Sequence, residues 1–151
     1  MNNFVITELS LAARLFRSGI LKYFDEGELT IYITDFCYQH KGHTINNDKS
    51  MANLMIQQGV LKLVELNENQ IERLLVLHLE YKPRFVMKTI SALVFAEQYN
   101  LKVISEDDLV REIAKELNIK AHNKEWLLTT LVNEISTMGI NLDIDCVKEI
   151  I

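Results

Sequence analysis

A chain of 151 residues, 48% hydrophobic and 25% charged, is long enough to bury one core and is about one domain in length. One proline and five glycines leave no stretch that reads as a linker or low-complexity tail, and no apolar run approaches the roughly 18 residues of a membrane helix. The formal net charge of −5 is the opposite of the basic surplus usual in dedicated nucleic-acid binders.

Taken in chain order, Phe4-Val5-Ile6 is a short apolar run and predicts a buried strand. No basic segment followed by an apolar one precedes it, so export is not expected. Cys37 and Cys146 are the only cysteines, and two unclustered thiols suit a reducing, cytoplasmic compartment. Leu9, Ala12, Ala13, Leu15 and Phe16 have helical spacing, with Gly19 as the C-cap. Leu29, Ile31 and Ile33 alternate with Thr30, Tyr32 and Thr34, which is a strand period. Asp35 is then placed to cap a helix holding Phe36, Cys37 and Tyr38.

After a polar loop over Gly42 to Asn47, Asp48 to Gln58 reads as a helix closed by Gly59, with Met51, Leu54 and Met55 on one face. Val60 to Val64 reads as a strand. Asn67 and Gln70 form a capping-box pattern opening a helix through Ile71, Leu74, Leu75 and Leu77 to about Tyr81, with Pro83 opposing its continuation. Val86 to Tyr99 is the next helix and Leu101 to Ile104 the next strand. Ser105 with Asp108 starts a helix through Leu109, Ile113, Ala114 and Leu117, Ile119 to Ala121 is a brief strand, and Asn123 caps a helix to Met138. Strands separated by helices predict an α/β fold with a mostly parallel central sheet flanked by helices on both faces. One domain over residues 1–151 is expected, with 140–151 as a short C-terminal helix or tail. Its functional site is expected at the carboxyl ends of the strands: near Thr7, near Asp35 to His40, and at Ser105 to Asp108.

Three groups of residues at these ends carry chemistry. Glu106-Asp107-Asp108 opens a helix, where carboxylates complement the helix dipole and cap backbone N–H groups; they are also of the type that holds a metal ion. Cys37, His40 and His43 are zinc-ligand types, but a single group of three lacks the second pair that structural zinc motifs bring. Lys82, Arg84 and Lys88 form a basic cluster at a helix start, either solvated or contacting phosphate. No glycine-rich phosphate loop is present.

Four segments together resemble the PIN-domain family of metal-dependent ribonucleases: Phe4 to Leu11, Tyr32 to His40, Val86 to Leu93, and Val103 to Ile119, the last being the most specific. The likeness spans residues 3–132 and implies a PIN-like three-layer α/β fold. It also implies a cluster of carboxylates holding Mg²⁺ or Mn²⁺ to activate water and cleave a phosphodiester. Matched residue by residue, the family's first aspartate falls on Thr7, its glutamate on His40 and its third acid on Thr89, beside Lys88. Only Glu106 and Asp107 keep the acidic character.

The resemblance therefore implies a catalytically degenerate PIN-like protein without a required cofactor. It would act through a protein partner, antitoxin-like or a second copy, and through RNA, in a toxin–antitoxin kind of gene pair. A register shift of one residue would return Glu8 and Asp35 to the site. With Glu106, Asp107 and Asp108 they would make an active Mg²⁺- or Mn²⁺-dependent ribonuclease. A third reading takes Ser105 to Thr130 as a DNA-binding helix-turn-helix, with Lys120 to Lys124 as the turn.

Overall fold

Uninterrupted apolar runs form strands buried on both faces of a parallel sheet, and the Phe4-Val5-Ile6 run occupies the centre of one. The computed structural model describes residues 2–39, 46–81, 87–145 and 147. Its strands are β1 (Asn2–Ile6), β2 (Leu29–Thr34), β3 (Leu61–Val64), β4 (Lys102–Ile104) and β5 (Ala121–His122). Its helices are α1 (Leu9–Ser18), α2 (Asp35–Gln39), α3 (Asn46–Gln57), α4 (Glu68–Tyr81), α5 (Met87–Tyr99), α6 (Asp108–Glu116) and α7 (Lys124–Thr137), with a 3₁₀ turn at Ile20–Tyr23. The strands pair in the order β3-β2-β1-β4-β5, every pair parallel, with Phe4 opposite both Ile31 and Lys102. The α/β fold with a central parallel sheet and flanking helices is the one the alternation of elements predicts.

Which helices cover which face follows from side-chain contacts and from right-handed crossovers. Tyr32 packs on Phe95 and Thr34 bonds Ser91, so α5 lies on that face of β2, and α6 shares it by handedness. The opposite face carries Phe4, whose ring meets Trp126 of α7 edge-on at 6.0 Å, together with α1 and α3, which pack on each other. Helix α5 is buried at every residue from Thr89 to Ala96, which is why its sequence is apolar all round and not striped.

Local chemistry sets the helix faces. Gly19, at φ +73°, closes α1 with its N–H on the Phe16 carbonyl. The Asn67–Gln70 capping box forms with both reciprocal bonds, at 2.7 and 2.9 Å. It buries Gln70, and the inward stripe of α4 is Gln70, Leu74 and Leu77. Leu75, counted with them in the helix's apolar pattern, lies instead on the outer side with Val76 and Leu79. The same correction applies to α3: buried Asp48 pairs with Arg17 of α1 at 3.4 Å, so the inward stripe is Asp48, Ala52 and Met55, and Leu54 faces out. The last strand is also displaced from 119–121. Asn118 takes a left-handed φ of +58° and the Ile119 N–H returns to the Ala114 carbonyl at 2.7 Å, so Ile119 belongs to the helix end.

Burial decides which leucines matter. Replacing Leu93 (1% exposed) with Ala should cost about 2–5 kcal/mol. The same change at Leu79 (67% exposed) should stay within about 0.5 kcal/mol. Urea unfolding of the two variants measures both.

Candidate functional site

A parallel sheet that winds both ways from β1 opens a crevice where the chain changes direction, outside the carboxyl ends of β1 and β4. Thr7 and Glu8 follow β1, Asp35 and Cys37 follow β2, and Ser105 to Asp108 follow β4. The start of α5, Met87 to Ser91, borders the ends of β2.

The ends of β2 and α5 are joined by a closed circuit of neutral hydrogen bonds. The Cys37 N–H donates to Thr34 Oγ1 at 3.3 Å, so Thr34 and not Asp35 caps α2; the Asp35 carboxylate instead accepts from the Phe36 N–H. Ser91 Oγ donates to the Lys88 carbonyl at 2.5 Å, which leaves the Thr34 hydroxyl as the donor across 2.7 Å to Ser91 Oγ. Cys37 Sγ closes the loop by donating to the same Lys88 carbonyl at 3.2 Å. Thr34, Cys37 and Ser91 are all buried. Burial pushes the Cys37 thiol up; hydrogen bonds to Thr34 and Ser91 and the Lys88 charge oppose this, and the Glu8 charge adds to it. Glu8 and Lys88 therefore both stand within electrostatic reach of this thiol.

The acidic triplet is engaged locally. Glu106 Oε1 accepts from the Lys124 N–H at 2.6 Å, at the start of α7. Asn123 Oδ1 accepts from the Trp126 N–H at 2.9 Å, so α7 is capped twice. Asp107 is the N-cap of α6, accepting from the Leu109 N–H at 3.0 Å. Asp108, 86% exposed, pairs with Arg111, whose guanidinium also donates to the Ser105 carbonyl at 2.6 Å and so lays a cation over the end of β4.

Among the described residues no three of the His, Cys, Asp and Glu side chains stand together as a group able to hold a metal ion. The residues of the crevice do not suit a hard divalent cation. Thr7 and Thr89 are buried hydroxyls, Lys88 and Arg111 bring positive charge, and two carboxylates of the triplet hold helix N-termini. Glu8 and Asp35 follow β1 and β2 as half-buried carboxylates. His40, His43, Lys82, Arg84 and Cys146 lie outside the described residues. The helix-turn-helix reading fails on the fold: the expected turn contains β5, a strand of the sheet, and Leu127 and Leu128 of α7 are buried in the core.

One cluster was not singled out in the sequence. His122 at the end of β5 stacks on Trp126 at 3.7 Å and 9°, and the Lys102 ammonium lies 5.1 Å from the same indole. Partial burial, then Lys102 and Lys120, hold the His122 imidazole below its ordinary value. The i, i+4 spacing of His122 and Trp126 was the available signal, but a stack needs the strand end and the helix start to meet in space.

No family model matches the chain, and no curated protein matches it. A solved structure that does match is a PilT N-terminus (PIN) domain protein from the hyperthermophilic archaeon Sulfolobus solfataricus P2. It is 20% identical over 86% of this chain and 93% of that one, with a TM-score of 0.51. The likeness at that identity is one of fold: the chain has a PIN-like α/β architecture. No helix among the described residues is long and apolar enough to cross a membrane.

Removing the Ser91 hydroxyl leaves the buried Thr34 O–H without its acceptor, so Ser91→Ala should lower stability by about 1–3 kcal/mol in urea unfolding. For His122 the native pKa is below the unfolded one, so acid favours the unfolded state. The contribution of the neutral ring is complete above the unfolded value of about 6.5 and is lost as pH falls through and below it. Thermal midpoints of wild type and His122→Gln should therefore converge on acidification below that value. Parallel pH profiles would show that His122 is not the group responsible.

Proposed function

We propose that this chain is a PIN-like protein whose crevice has exchanged metal chemistry for hydrogen bonding, and that it works by binding a protein partner. The partner is antitoxin-like or a second copy of the chain, RNA is a further ligand, and a toxin–antitoxin gene pair in the cytoplasm is the setting. The observation that carries this reading is the circuit of Thr34, Ser91, Cys37 and the Lys88 carbonyl, built beside the crevice where the end of β2 meets the start of α5. Four groups are there satisfied by one another without an ion, so the sheet ends are held with no metal to bring them together. The capping bonds of Glu106 and Asp107 support the same reading, because each draws a carboxylate onto a helix N-terminus. Lys88 and Arg111 would favour an RNA phosphate over a cation at such a place.

The competing reading, a Mg²⁺- or Mn²⁺-dependent ribonuclease using Glu8, Asp35 and the triplet, makes the opposite forecast in one experiment. Calorimetric titration with Mn²⁺ should give no binding at millimolar metal for wild type or for Asp107→Ala. The substitution should cost only its helix cap, about 0.5–2 kcal/mol of stability. Metal binding by the wild type that vanishes in Asp107→Ala would establish the nuclease site instead.

A further inference from the structure

Strand β5 ends the sheet, and its far side meets no other strand among the described residues. Its register fixes which peptide groups are used. The Val103 N–H donates to the Lys120 carbonyl at 2.9 Å and the Ser105 N–H to the His122 carbonyl at 3.0 Å. Alternate residues of a strand turn their peptide groups to opposite sides, so Ala121 directs its N–H and C=O away from β4. Ala121 also lines a groove of about 790 Å³ formed by this edge and residues of α6. Ile119 and Ala121 provide its apolar floor, and Lys115, Lys120 and Glu112 its charged rim. Arg111 is already held by Asp108 and the Ser105 carbonyl, whereas the ammonium groups of Lys115 and Lys120 have no carboxylate partner among the described residues.

We infer that this groove receives an extended, acidic segment of a partner protein as a sixth strand. The segment pairs with both peptide groups of Ala121 and sets carboxylates against Lys115 and Lys120. Backbone pairing supplies affinity that does not depend on sequence, and the two lysines supply the choice of partner. Lys120 beside a two-residue strand also has a protective effect, because a charged, short edge discourages indiscriminate pairing with apolar strands. The same charge admits a strand that neutralises it. The stacked His122–Trp126 pair fixes the end of β5 from the opposite face, so the edge is presented in a set position. A nucleic-acid strand would also meet lysines here, but it has no use for an outward N–H and C=O spaced for a β ladder.

This inference rests on the partner-binding reading above and specifies where such a partner docks, yet the two can fail separately. The probe is a blocked pentapeptide alternating glutamate with valine, titrated into the ¹⁵N-labelled full chain. The Ala121 amide should shift and its hydrogen exchange should slow, and a lysine–valine peptide of the same length should leave both unchanged. Replacing Lys115 and Lys120 with Glu should weaken binding by about tenfold. Ala121→Pro removes the outward donor at an edge position where proline is tolerated, and should abolish binding. If that variant does not fold by circular dichroism, the double lysine variant, which alters only surface side chains, decides the question. An Ala121 amide unmoved at millimolar peptide, or equal affinity in the double lysine variant, overturns the proposal. So does an eight-nucleotide oligouridine that perturbs the same amides more strongly than the peptide, which would give the groove to nucleic acid. Mn²⁺ binding that requires Asp107 would instead remove the non-catalytic reading while leaving the peptide result standing.

Discussion

A parallel sheet covered on both faces has little room for polar side chains along its length, so most of the polar chemistry it carries gathers at the strand ends. In this chain Val5, Ile6, Ile31, Ile33, Val103 and Ile104 are fully buried; Thr30 is buried within β2, and at the strand ends stand Thr7, Thr34 and Ser105. Each of these three residues is a hydroxyl, and each is nearly or wholly buried. A hydroxyl can both donate and accept, so it can satisfy itself in a dry site with neutral neighbours. A carboxylate in the same place would need a cation or several N–H donors. The identity of these three residues therefore governs what the crevice can hold.

The hydrogen-bonding circuit shows how the consequence spreads. Ser91 lies on the helix that touches β1, β2 and β4, so a bond from it to Thr34 ties the centre of the sheet to its covering layer. Two acids at the β4 end serve the backbone. Glu106 and Asp107 act at the N-termini of two successive helices, so their charge contributes to where α6 and α7 begin. Glu106 also spans the two helices, linking the loop after β4 to the helix after β5. The architecture matches that of a PIN-domain structure at 20% identity, which is the distance at which a fold outlasts the details of its surface.

Much of the fold was legible in the sequence because its signals are local. The order of strands and helices follows from period, caps and turn residues, and the Asn67–Gln70 box and the Gly19 cap both formed as written. The capping role of the acidic triplet was legible for the same reason. The errors share a different cause. Leu54 and Leu75 look inward by hydropathy, but buried Asp48 and Gln70 had taken the inward positions through a partner helix and a cap. Which residue caps α2 turned on a hydroxyl one position ahead of the expected acid. Neither the Thr34–Ser91 bond nor the His122–Trp126 stack beneath the β5 edge can be read without knowing which strand ends meet, and that is long-range information.

The all-parallel register also bears on how the chain is made. Among the described residues no strand pairs with a neighbour across a tight hairpin; β1 must first wait for β2, and its other edge stays open until β4 has been synthesised. Phe4 and Ile6 pair with Lys102 and Ile104, far downstream in the sequence, so this edge of an apolar strand stays open until β4 has been synthesised. A nascent chain with this register carries an apolar strand edge unprotected until its distant partner is made, and its yield in a cell depends on what shields that edge in the interval.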